Sequence, residues 1–113
     1  MSMSILLDFL HVKLSAELFD TVTANRFVEH LPCTVDLVGW GKELYGSIGA
    51  DLGEENPVSN IPPGGLAYTN HGNYFCIFFG QAPAWPVEHI GRIVEPWEDV
   101  LRSSLRRVTV SKT

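Results

Sequence analysis

Lysine and arginine are missing from the middle of this 113-residue chain. None occurs from Glu43 to Gly91, while Glu43, Asp51, Glu54, Glu55 and Glu88 all fall in that stretch. A phosphate or carboxylate clamp built inside it would lack its Arg or Lys. The chain as a whole carries 8 Lys plus Arg against 13 Asp plus Glu, a formal charge of −5. It therefore lacks the basic stripe from which nucleic-acid binding starts, and nucleic acid is not an expected partner. Arg102, Arg106, Arg107 and Lys112 do gather near the C-terminus, where they read as a solvated strand flanking a helix end. No run approaches the ~20 apolar residues that a bilayer demands, so no membrane span is expected. Cysteine is scarce too: Cys33 and Cys76 are far apart, without CxxC spacing, and read as buried free thiols of a reducing cytosol. The N-terminus has no basic n-region, and Asp8 interrupts its apolar run. It does not resemble a signal peptide, and a cytoplasmic location is the expectation.

What is present is apolar and aromatic. Hydrophobic residues make up 45% of the chain, with 3 Trp, 3 Tyr and 6 Phe, enough to fill the core of one domain over residues 1–113 and to exclude disorder. Ile5, Leu7 and Phe9 alternate, and Val12, Leu14, Ala16 and Leu18 alternate on the opposite parity. A two-residue hairpin turn at Leu10-His11 accounts for that change of phase, although the usual Gly or Asn is absent. Thr21 is placed to cap a helix carrying Ala24, Phe27, Val28 and Leu31, which Pro32 stops. Strands are expected at Thr34–Val38 and Glu43–Ile48, joined around Gly39-Trp40-Gly41, then a loop from Gly49 to Pro63. Leu66-Ala67-Tyr68 and the run Phe75–Phe79 flank the turn residues Asn70-His71-Gly72-Asn73. The second of these runs is apolar without alternation, so both its faces should be covered. A short strand at Ile90–Val94 precedes a helix with Pro96 at its first position and Trp97, Val100, Leu101 and Leu105 as its buried stripe. Arg107–Lys112 closes the chain as a strand with Val108 and Val110 inward. Many short strands with a helix near each end favour a closed, mainly β barrel.

Several of these pieces resemble one family. Pro63-Gly64, Ala67-Tyr68, Gly72-Asn73, Cys76-Ile77-Phe78-Phe79-Gly80 and Pro83 look like the core signature of small bacterial and archaeal cyclophilin-like proteins. Trp40-Gly41, Glu43, Tyr45, Ser47 and Ile48 match the preceding strand pair, and Leu31-Pro32 and Ile90-Gly91-Arg92-Ile93 fit as well. The resemblance runs from about Ile5 to Val110. It implies a closed antiparallel barrel of about eight strands capped by two short helices. Two departures stand out: Gln81–His89 is short where family members often carry an insertion, and Gly46 stands where a bulky residue is common, as if opening space on that strand.

The activity such a fold brings to mind is prolyl isomerisation, which needs an apolar pocket and an Arg that hydrogen-bonds the prolyl nitrogen. True cyclophilins look like Phe-His-Arg on one strand with a Gln nearby. The counterpart here, Glu43–Ile48, offers no Arg, and only Arg26 or Arg92 could reach in through tertiary folding. No nucleophile elbow or Cys-His-Asn pattern surrounds Ser47, Ser59 or Cys76. The histidines His11, His30, His71 and His89 have no ligand spacing, and nothing sets a separation for Glu43 and Glu88 as a carboxylate pair. No catalytic residue, metal ligand or cofactor is assigned.

The aromatic residues carry the remaining argument. Trp40, Tyr45, Tyr68, Tyr74, Phe75 and Trp85 share the basic-free region with Asn73, Gln81 and His71, and aromatics with a few polar groups are the material of small-ligand and peptide pockets. The leading reading is a noncatalytic binding module for a small molecule or an extended, proline-containing peptide. Its contact surface is assigned to Tyr45, Tyr68, Asn73, Phe78 and Trp85, with His71 and Glu43 as polar fixings. Trp85, in the loop sequence Pro83-Ala84-Trp85-Pro86, is either a pocket lid or an interface anchor. A weak or substrate-restricted prolyl isomerase and a self-associating homodimer are the alternatives. A pocket in this region should prefer neutral, apolar or cationic partners over anions.

Overall fold

A computed structural model describes residues 2–113. Among the described residues nine antiparallel strands, β1 (Met3–Asp8), β2 (Lys13–Leu18), β3 (Cys33–Asp36), β4 (Val38–Trp40), β5 (Glu43–Ser47), β6 (Gly65–Thr69), β7 (Tyr74–Phe78), β8 (Glu88–Ile93) and β9 (Arg107–Lys112), form one sheet, rolled into a nearly closed barrel, in the order β3-β9-β1-β2-β8-β6-β7-β5-β4. The first hairpin forms as the phase change requires. Strands β1 (Met3–Asp8) and β2 (Lys13–Leu18) pair with Asp8 opposite Lys13, and both alternating sets, Ile5, Leu7, Phe9 and Leu14, Ala16, Leu18, are buried. The glycine-free turn places Leu10 at φ +78°, an uncommon conformation for a residue with a side chain. It is held by the Leu10 N–H donating to Asp8 Oδ1 at 2.8 Å and the Phe9 N–H donating to the Val12 carbonyl at 2.9 Å. Helix α1 (Val22–Glu29) starts at Thr21, whose Oγ1 accepts from the Ala24 N–H at 3.1 Å. It buries Ala24, Phe27 and Val28, and Phe27 lies parallel to Phe75 at 5.2 Å, a stack adding about 0.5–1.5 kcal/mol to the burial itself.

The ninth strand arises because one extended segment changes partner. Residues of β3 (Cys33–Asp36) pair with β9 (Arg107–Lys112), whereas β4 (Val38–Trp40) pairs with β5 (Glu43–Ser47). Leu37 sits at the switch, its N–H donating to the Arg106 carbonyl at 2.6 Å. The barrel closes where β3 meets β5. A Cβ on Gly46 would overlap the Asp36 carbonyl oxygen and lie 2.6 Å from Val35 Cγ1. Gly46 therefore opens no space on its strand; its missing side chain lets two backbones touch.

Strands β6 (Gly65–Thr69), β7 (Tyr74–Phe78) and β8 (Glu88–Ile93) complete the wall. Phe75 and Ile77 point into the barrel with Leu44, Leu66 and Tyr68, while Cys76 and Phe78 belong to a second apolar cluster with Ile61, Ala67 and Val87. This is why the β7 run does not alternate: the loops over residues 49–63 and 80–87 cover its outer face. They are tied together by reciprocal Val58–Val87 backbone bonds of 2.8 and 2.9 Å. Helix α2 is shorter than its apolar stripe suggested, spanning only Glu98–Leu101. Ser103 ends it: its Oγ donates to the Val100 carbonyl at 2.6 Å and accepts from the Leu105 N–H at 3.3 Å, diverting the backbone from the helical ladder. Pro96 precedes the Trp97 cap instead of opening the first turn. Among the described residues no helix is long and apolar enough to cross a membrane.

Candidate functional site

The outer face of β5 and β7 carries an open groove of about 320 Å³. Strand parity builds its floor. Leu44 turns inward, so Glu43 and Tyr45 turn outward; Phe75 and Ile77 turn inward, so Tyr74, Cys76 and Phe78 turn outward. Register places Glu43 opposite Phe78 and Tyr45 opposite Cys76, and the Tyr45 and Tyr74 rings meet edge to face at 5.0 Å. One wall is the loop bearing Pro83, Ala84 and Trp85, and Trp40 at the end of β4 lines the groove as well.

Both tryptophans are positioned by specific polar contacts. The Trp85 indole N–H donates to Thr69 Oγ1 at 3.0 Å, and the same oxygen accepts the His71 N–H at 3.2 Å. The imidazole of His71 lies 5.8 Å from the Trp85 ring. Gln81 reaches across to the β4–β5 turn, where its Oε1 accepts the Lys42 N–H at 2.6 Å and its Nε2 donates to the Trp40 carbonyl at 3.0 Å. Gly41, at φ +59°, makes room for that side chain, since a Cβ there would overlap Gln81 Oε1. Trp40 stays 50% exposed and Trp85 42% exposed.

The groove's polar group is Glu43, only 7% exposed on its strand. Burial pushes its carboxyl above the ordinary range, partly offset by a hydrogen bond from the Cys76 thiol. Burial, reinforced by the Glu43 charge, pushes that thiol far upward, which leaves it protonated and poorly nucleophilic. Among the described residues no Lys or Arg lines the groove. Arg26 donates to the Leu52 carbonyl at 2.9 Å beside α1, and Arg92 pairs with Glu17 at 2.7 Å across β2 and β8. The two arginines that tertiary folding could have delivered are thus engaged elsewhere.

Of the seven residues singled out from the sequence, Tyr45, Phe78, Trp85 and Glu43 line the groove together, and His71 stands against Trp85. Tyr68 and Asn73 do not join them. Tyr68 is 0% exposed inside the barrel. Its hydroxyl accepts the Leu52 N–H at 2.9 Å and lies 2.9 Å from the Ala50 carbonyl and 3.0 Å from Asn73 Oδ1. Asn73 adopts φ +56° in the β6–β7 turn, and its carbonyl accepts the Ile48 N–H at 2.9 Å. Both are structural ties between loops. The reason is parity: Tyr68 shares the inward side of β6 with Leu66. The same rule would have selected Tyr74, which lies two residues from Cys76 and four from Phe78 on one strand face. Trp40 stood among the aromatics of the basic-free stretch without being assigned to the contact surface, and Thr69 carried no local signal; their links to Gln81 and Trp85 come from a distant loop. Glu88 does not pair with Glu43; it accepts from Thr23 Oγ1 and the Asn56 N–H, each at 2.8 Å. Among the described residues no three His, Cys, Asp or Glu side chains come together as a metal site would require.

A nearly closed antiparallel barrel with two short helices and an outer-face groove defines the class of fold. The chain belongs to the Cyclophilin-like family, whose model matches residues 3–111. The fold is similar to the solution structure of a hypothetical protein from Archaeoglobus fulgidus, at 26% identity and a TM-score of 0.82, over 99% of this chain and 95% of that one. It is also similar to McbB, solved in complex with tryptophan, at 14% identity and a TM-score of 0.74. That alignment covers 100% of this chain but 45% of McbB, and at such identity it carries the fold alone. No curated protein matches the chain.

Proposed function

We propose that this protein is a noncatalytic binding module whose outer groove takes a small apolar molecule or one or two side chains of an extended peptide. The observation that carries the reading is the open groove itself, about 320 Å³, walled by Trp40, Tyr45, Tyr74, Phe78 and Trp85. Its volume is at the small end of ligand pockets, and its make-up of aromatic walls with one fixed polar group is that of a binding site. A filled barrel core beneath gives the walls a rigid base, so little ordering is required on binding.

A thermal-shift panel of metabolites, L-tryptophan and proline-containing peptides tests this. Hits that raise the melting temperature in the native protein and fail in Trp85→Ala are expected. A panel without hits, alongside a dimer in sedimentation that dissociates in Trp85→Ala, would replace the reading with self-association. Turnover of an Ala-Pro peptide at a rate comparable with a cyclophilin would replace it with catalysis.

A further inference from the structure

Glu43 gives the groove a sign. It is a largely buried carboxylate on a floor of aromatic rings, and among the described residues no ion pair involves it. The adjacent Lys42 does not serve it as a groove cation: its stem lies against Gly80, where a Cβ would come 2.7 Å from Lys42 Cδ. Resting on the binding-module reading, we infer that the groove selects an alkylated organic ammonium, seated between the tryptophan faces with its charge against Glu43. A desolvated carboxylate gains most from a cationic partner, and aromatic faces attract such a cation through their quadrupoles. Alkylation follows from the apolar make-up of the walls, whose hydroxyls are Thr69 Oγ1, already accepting from Trp85 and His71, and those of Tyr45 and Tyr74. A primary ammonium would have to shed water from three N–H donors to sit against the indole faces, and each is costly to leave unpaired. A methylated ammonium has few or no N–H groups to satisfy and presents an apolar, charged surface that the rings can enclose.

The probe pair is choline and its uncharged isostere 3,3-dimethyl-1-butanol, titrated against the native protein by tryptophan fluorescence and calorimetry. Choline is expected to bind at least about tenfold more tightly than the isostere, the difference one charge-assisted contact supplies. Glu43→Gln should erase that preference while leaving the affinity for the isostere within about twofold. Trp85→Ala should weaken choline by about fivefold, as loss of one cation–π face does. If Glu43→Gln does not fold, Trp85→Ala and the choline-to-isostere ratio on the native protein still decide. Equal binding of the two probes would overturn the cation inference and leave the binding module standing. If neither probe binds, the inference is overturned as well, and the metabolite and peptide panel then decides the broader reading separately.

Discussion

Replacing Tyr68 with Phe separates a structural tie from a ligand contact. The substitution keeps the ring in the barrel and removes only the hydroxyl. The Leu52 N–H, on a residue 8% exposed, then loses its acceptor, which costs about 1–3 kcal/mol. The hydroxyl's single proton serves the Ala50 carbonyl or Asn73 Oδ1 at any moment, and losing that bond costs a further ~0.5–1.5 kcal/mol, less where water replaces it. The sum is about 1.5–4.5 kcal/mol. For a domain of this length each kcal/mol moves the melting temperature by about 4 °C, so Tyr68→Phe should melt about 6–18 °C below the native protein. Calorimetric melts read the loss, and amide exchange locates it, with the Leu52 amide losing protection first. Ligand binding in the groove should be unaltered well below the transition. A melting temperature within about 2 °C of the native value, together with weakened groove binding, would refute the assignment and return Tyr68 to the contact surface.

Gly46→Ala should lower the urea midpoint by the equivalent of about 2–3 kcal/mol, because the added methyl overlaps the Asp36 carbonyl at the barrel's closure; an unchanged midpoint would mean that the closure yields. His89 predicts a pH slope. Its Nε2 is buried without a partner, and burial lowers its proton affinity in the folded state, partly offset by a bond to the Gly91 backbone. The stability it lends is present above the unfolded value of about 6.5 and is lost as pH falls through the lower folded value. His89→Phe should flatten that part of a melting-temperature profile. Glu43 has the opposite sign: its raised folded pKa means that stability present below pH ~4.5 is lost as pH rises through the folded value. Glu43→Gln should therefore melt higher than the native protein above pH 7 and no higher near pH 4.

Much of the barrel could be read from alternation alone. The parity change at Leu10-His11, the capping Thr21 and the unalternating Phe75–Phe79 run each correspond to a local rule that the structure obeys. What escaped depends on contacts distant in sequence. The partner change at Leu37 needs β9, some 70 residues away in the chain, to be in place before its geometry has meaning. Gly46 looked like a vacancy because nothing nearby reveals that Asp36 fills it. At the groove, Tyr45 and Phe78 were legible as aromatics, yet sorting Tyr68 from Tyr74 required following inward and outward residues along each strand. Trp40 was visible as an aromatic too, but the contact that holds it at the groove, Gln81 on its carbonyl, comes from another loop.

The segment Cys33–Trp40 supplies both margins of the sheet. Its first part, β3, is four residues long and its second, β4, three. An open sheet of nine strands would offer incoming chains two lengths of unsatisfied backbone. Here those margins are short and consecutive, β3 is backed against Gly46, and the Arg106 guanidinium lies 3.3 Å from the Cβ position of Gly39 on β4. Short, covered or charged margins discourage strand addition. Cutting the backbone at Leu37 would release both at once, so a chain permuted to begin there should polymerise more readily than the intact protein, as light scattering would read.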